Sequence, residues 1–157
     1  MSIVPRNPNT ILLFDGGFAP VHDNEHIASG IITPGMLIEI VPDQASAAPK
    51  YRFHTTSTEQ VSIIVAGEQN WMNLGVDDDY ADGDLVDAIY LKPGSIIWGL
   101  LASGQNISMG EKLQSAGDGT LKSATATTAA ANVAKFQSLD NIGAVTVLTR
   151  VRAQVIQ

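Results

Sequence analysis

The sequence predicts a single all-β domain, a small barrel or sandwich, and three observations carry that expectation. The apolar residues of the 157-residue chain come in short runs separated by Gly, Pro, Asn and Asp, the punctuation of strands and turns. Period-two alternation is clear near the C-terminus, where Val145, Val147, Thr149 and Val151 share one face and Thr146, Leu148, Arg150 and Arg152 the other. The helical period is nowhere sustained. Residues 124–131 have alanine's propensity but no apolar stripe, and their threonines oppose helix, so they read as a mobile Ala/Thr-rich loop.

Taken in order, strands are expected at 11–14, 36–41, 51–54, 61–66, 85–90, 96–101, 112–115, 120–124, 133–137 and 144–151. The run 96–101 is apolar on both faces and is expected to be a central strand covered twice. Between Gln114 and Leu121, Gly117-Asp118-Gly119 supplies residues that tolerate positive φ and marks a hairpin. Three segments share one pattern, a large apolar residue, Gly three later and an apolar residue three beyond: Ile32–Gly35–Ile38, Tyr80–Gly83–Val86 and Ile107–Gly110–Leu113. Gly35, Gly83, Gly110 and the hairpin's Gly119 are therefore read as structural turn glycines, each launching a strand. Their uneven spacing excludes a solenoid.

Residues 1–30 differ from the rest. Pro5, Pro8, Pro20, Asn7, Asn9 and Gly16-Gly17 surround one sticky run, Ile11-Leu12-Leu13-Phe14. A lone strand among turn residues builds no core of its own, so 1–30 is read as an N-terminal arm and 31–157 as the domain.

Composition narrows the function. Cysteine is absent, which removes disulfides, thiolate metal sites and cysteine nucleophiles. Charged residues make up only 16%, low for a free surface, so part of the surface is expected to be covered by a partner. The net charge of −7 is concentrated in Asp77, Asp78, Asp79, Asp82, Asp84 and Asp87; without them acids and bases nearly balance. No basic stripe exists to neutralise phosphates, so no direct nucleic-acid partner is expected. No apolar run approaches the length of a membrane span and no signal peptide is read at the start, so no membrane association is expected either.

The motifs with chemical potential fail on inspection. His22-Asp23-Asn24-Glu25-His26 matches H-x-x-E-H, but Pro20 before it and Gly30 and Pro34 after it leave no helix to hold both histidines on a zinc ion. Fitting an EF-hand with Gly83 at its sixth position puts Tyr80 and Ile89 where ligands are required. There is no G-x-S-x-G elbow and no phosphate-binding Gly-rich loop. His54, Trp71 and Trp98 read as packing residues. No catalytic residue, metal or cofactor is expected.

One resemblance remains. Gly83-Asp84-Leu85-Val86, Leu91-Lys92-Pro93-Gly94-Ser95-Ile96-Ile97-Trp98 and the stretch from Ile107 through Gly110 and Gly117-Asp118-Gly119 to Leu121 resemble the head decoration, or capsid cement, proteins of tailed bacteriophages. Val133 to Leu139 and Val145 to Leu148 look like that family's closing strands. The resemblance covers roughly residues 30–157 and implies a β-tulip type barrel. It further implies a homotrimer, assembled in the host cytoplasm, that sits on the outer surface of the virion and clamps neighbouring copies of the major capsid protein. In that family an N-terminal arm pairs with the capsid, and Ile11, Leu12, Leu13 and Phe14 would fill the role here. The alternatives are another virion β-protein, such as a tail-tube, head-fibre or baseplate component, and a small barrel that binds a cation or ligand through the acidic loop.

Overall fold

The computed structural model describes residues 10–17, 19–41, 49–57, 63–127 and 133–156. In chain order its strands are β1 (Leu12–Asp15), β2 (Val21–Asp23), β3 (Ile27–Ala28), β4 (Ile38–Val41), β5 (Lys50–Phe53), β6 (Ile64–Ala66), β7 (Ala88–Tyr90), β8 (Ser95–Leu101), β9 (Lys112–Ser115), β10 (Leu121–Ser123), β11 (Phe136–Ser138) and β12 (Thr149–Val155), with a 3-10 turn at Asn70–Met72. The architecture is all-β.

Five strands close a barrel in the order β8–β12–β11–β9–β10, with β10 returning to β8. The long antiparallel ladder from Thr149↔Leu101 to Gln154↔Ile96 is its spine. Closure at the other side is a parallel pairing of Leu121 with Leu101. Ile97, Leu101, Leu113, Leu121, Phe136, Val151, Ala153 and Val155 point inward and form one buried cluster, which extends to Ile11, Leu37, Val65 and Ile89 outside the ring. Gly99 also faces inward, because a Cβ there would lie 2.7 Å from a methyl of Leu121. The outer face of β8 carries Trp98 and Leu100, both buried, so this strand is covered twice as its composition requires.

The free edge of β8 is filled in relay. β1 pairs with its first half, the Ile11 carbonyl accepts from the Trp98 amide, the Gly35 carbonyl from the Leu100 amide, and Leu121 from Ala102. Two three-stranded sheets, β2–β7–β6 and β3–β5–β4, complete the domain. Between them lies a second buried cluster of Ala28, Ile32, Ile38, Tyr51, Ile64, Ala66, Tyr80, Val86 and Ala88.

The turn pattern has a common geometry. In Thr33–Met36, Ala81–Asp84 and Ser108–Glu111 the last amide donates to the first carbonyl at 3.0 Å, with Gly35, Gly83 or Gly110 third and at positive φ. These are type II hydrogen-bonded turns, which need positive φ at that position. Lys92-Pro93-Gly94-Ser95 is a fourth, between buried Leu91 and Ile97. In all four, the last residue's side chain accepts a hydrogen bond from the first residue's amide: Met36 Sδ, Asp84 Oδ2, Ser95 Oγ and Glu111 Oε2.

Three differences from the sequence reading stand out. The segment read as an arm is tied to the domain: Ile11 is fully buried in the core, β1 pairs with β8, β2 with β7 and β3 with β5. The strands β2 and β3 escaped notice because two or three residues carry no period of their own; their partners come from far along the chain. The last strand begins at Thr149 rather than 144, because 142–145 pair instead with 105–107 and leave Val147 and Leu148 exposed. Residues 1–9 and 128–132 lie outside the described residues.

Candidate functional site

Of the four residues expected to dock on a capsid, Ile11 is committed to this chain's own core and Leu12 packs against it. Leu13 and Phe14 remain 43% and 51% exposed. They lie on β1, whose only partner among the described residues is β8, so no described strand pairs with its second edge. Across the connecting turn, Val21 on β2 is exposed as well. This combination of a strand edge that no described strand covers with apolar side chains is the clearest candidate docking surface.

A buried carboxylate anchors the start of this segment. Glu68 accepts from the Ile11 amide (3.0 Å) and the Thr10 hydroxyl (2.7 Å), and from the Asn70 side chain. Burial alone raises the Glu68 carboxyl, but those donors favour the ionised form and bring it below its ordinary value. The turn Asn70–Met72 that follows presents Trp71 and Met72 to solvent and ends in Asn73, the one non-glycine residue with positive φ among the described residues.

The histidine motif forms no metal site. His22 on β2 meets Asp87 at 2.8 Å, whereas His26 meets Asp23 at 2.6 Å, and no group of metal-ligating residues converges among the described residues. Asp23 also accepts from the Glu25 amide and the Tyr51 hydroxyl, which in turn contacts the Tyr90 hydroxyl at 2.7 Å. Burial raises the Asp23 carboxyl, the Glu25, Tyr51 and His26 donors outweigh it, and the net shift is downward. The Tyr51 phenol, buried against Tyr90 and Asp23, is pushed strongly up. Asp87 is raised, chiefly by burial and with a contribution from the Glu68 charge, against the opposing pull of His22. This clasp ties β2 and β3 to β5 and β7.

Three carboxylates of the acidic loop are occupied with backbone amides. Asp78 accepts from Gly75, Asp82 from Gly30 and Asp84 from Ala81, while Asp77 pairs with Arg150 at 3.2 Å. Arg150, on β12, also donates to the carbonyls of Pro34 and Val76. The sequence showed a charge run; the structure shows a set of turn caps.

His54 Nδ1 lies 2.8 Å from Ser115 Oγ, with Glu39 3.7 Å from the other ring nitrogen. The order resembles a catalytic triad, but both His54 and Ser115 are buried, and the serine oxygen also accepts from the Gly117 amide. A shallow crease beside β1, lined by Leu12, Pro20, Tyr90 and Lys92, has no room for a water molecule. Among the described residues no helix is long and apolar enough to cross a membrane.

No family model matches the chain, and no curated protein matches its sequence. Its fold is similar to the crystal structure of the head fibre gp8.5 N base of bacteriophage phi29, with a TM-score of 0.54 and 11% identity, over 88% of this chain and 99% of that one. The shared feature is the fold.

Proposed function

We propose that this chain is a structural protein of a bacteriophage head, seated on the outer capsid surface as a homotrimer and clamping neighbouring major capsid subunits. The observation that carries this reading is the correspondence over nearly the whole of a head-fibre base. The clamping role is what the resemblance of residues 30–157 to capsid cement proteins implies. On this reading the protein assembles into virions in the host cytoplasm and performs no catalytic step. The base of a head fibre is the second reading, favoured by the same correspondence; both place the barrel on a shell.

Contact with the capsid falls to Leu13 and Phe14 at the second edge of β1 rather than to all four residues of the run. A capsid strand added to that edge would bury both side chains, each worth roughly 1.5–3 kcal/mol before ordering costs. Electron microscopy of heads with and without the protein tests the reading, with density expected at three-fold sites. Co-sedimentation with heads tests the surface: Leu13→Ser/Phe14→Ser is expected to bind at least about tenfold more weakly while melting like the parent. Heads that gain no density refute the placement, and undiminished binding of the double variant refutes the surface.

A further inference from the structure

The segments that cap one end of the barrel are free of charge. The ends of β8, β10 and β11 and the starts of β9 and β12 meet there: Leu101 pairs with Thr149 and Leu121, Leu113 with Ser123, and Gln137 with Lys112. Residues 102–110, 123–127 and 141–149 build that end, and none of them is Asp, Glu, Lys, Arg or His. The fold joins them. Ile107 bridges Ile142, the Gly104 amide donates to the Val145 carbonyl and the Val145 amide to that of Gln105, which makes a two-stranded ribbon. The Gln105 side chain accepts from the Ser123 amide and ties in the end of β10. Ile107 and Ile142 belong to the barrel's buried cluster, so the ribbon caps it.

The carboxylates at its border are spent within the chain. Glu111 accepts from the Ser108 amide and the Ser123 hydroxyl, and Asp140 from the Arg152 guanidinium and amide. Lys112, exposed on the outer wall of β9, marks the limit of the uncharged surface. The ribbon shows Ser103, Asn106, Ala144 and Thr146 to solvent, with Met109 61% exposed at one end and Val147 and Leu148 66% and 56% exposed at the other. Exposed large apolar side chains in a setting depleted of charge are the composition of an interface centre. The candidate capsid surface is elsewhere: Phe14 pairs with Ile96 at the start of β8, whereas the ribbon follows Leu101, roughly 20 Å along the strand.

The lack of charge points to what covers this face. A different protein meeting a chain of net charge −7 is ordinarily matched by complementary charges, which steer and register the contact. Copies of one chain around a rotation axis are under the opposite demand. Near the axis every residue meets its own counterpart, so a charge there would face the same charge. We propose that the ribbon of 102–110 and 141–149 is the face that three copies of this chain share around their axis, with Met109, Val147 and Leu148 as its apolar anchors. The three-fold count rests on the phage-head reading above; the face does not. It also accounts for the low charge content of the sequence, which the short exposed run on β1 leaves unexplained.

Sedimentation velocity on the purified full chain at micromolar concentration tests it, with circular dichroism to confirm that each variant folds. Wild type is expected to sediment as a trimer and to stay assembled at about 1 M salt, since no ion pair holds the face together. Asn106→Glu/Thr146→Glu and Asn106→Lys/Thr146→Lys are both expected to associate at least about tenfold more weakly. The first raises and the second lowers the magnitude of the net charge, so a loss in both locates the effect in the face rather than in overall charge. Val147→Ser/Leu148→Ser adds no charge and is expected to weaken association by a similar factor. A monomeric wild type overturns the proposal, as do dissociation by salt and variants that associate like wild type. Heads that bind a protein sedimenting as a monomer would sink the shared face and leave the phage-head reading standing; trimers that bind no head would do the reverse.

Discussion

The barrel and the half-domain built from β2–β7–β6 and β3–β5–β4 solve the same problem with different materials. The barrel core is almost wholly aliphatic, with Phe136 its one aromatic residue, and its order comes from register and volume. The other half buries small residues beside Tyr51 and Tyr80, whose hydroxyls reach Asp23, Tyr90 and the Gly67 carbonyl. Carboxylates and histidines then fasten the described part of residues 10–30 to it. An apolar core responds to lost volume, whereas a polar one responds to single atoms and to protons. The segment 10–30 belongs to both, through Ile11 on one side and Asp23 and His22 on the other.

Removing residues 1–15 tests that double attachment and carries the largest expected effect. It takes Ile11 from the core and uncovers the edge of β8, so a loss of more than about 4 kcal/mol is expected in urea denaturation. A truncated protein that melts like the full chain would return the segment to the status of an arm.

Next come the turn glycines. At Gly35 a Cβ would lie 2.7 Å from the Trp98 carbonyl, inside the relay along β8, whereas at Gly83 nothing lies within 4 Å. Both have positive φ, so both alanine variants carry a backbone cost of about 1–2 kcal/mol. Gly35→Ala is expected to exceed Gly83→Ala by at least about 2 kcal/mol, because backbone atoms must move. Equal losses in thermal melts would show that the β8 edge yields.

Tyr51→Phe removes one oxygen and leaves the ring. A loss of about 1–2 kcal/mol is expected, since Asp23 and Tyr90 lose a buried partner. Hydrogen exchange should accelerate in β2 and β3 and leave the β8–β12 ladder unchanged.

The smallest effect is in pH dependence. The folded Glu68 carboxyl lies below its unfolded value, so the unfolded chain binds more protons and stability falls as pH drops through the folded value. Asp87 has the opposite sign: its folded carboxyl is raised, so it holds a proton more tightly and stability falls as pH rises from the unfolded value through the folded one. Glu68→Gln should therefore flatten the acid limb of a stability profile, and Asp87→Asn should steepen it.

These contrasts also explain what the sequence disclosed. Strands with a long run or a marked turn were legible: β8 from its two-faced apolar run, and β9–β10 from Gly117-Asp118-Gly119. Local chemistry sets both. The part that was hidden depends on partners far along the chain. Nothing near Ile11 announces Glu68, and nothing in His22-Asp23-Asn24-Glu25-His26 announces Asp87 or Tyr51. The aspartate run was legible as charge but not as work, since capping Gly30 from Asp82 needs the fold first. Of the candidate docking run, the alternation rule gave four apolar side chains; only burial separated Ile11 from Leu13 and Phe14.

The relay along the edge of β8 has a kinetic consequence. Its contributors, β1 with Ile11, the Gly35 turn and Leu121, come from widely separated parts of the chain, and the opposite edge waits for β12, the last of the described strands. A nascent chain emerging from a ribosome therefore holds an apolar strand with one edge unpaired until residues 149–155 are made. Folding of the barrel is expected to be slow and to wait for β12. Until then, unpaired β8 is the place where two half-made copies would stick.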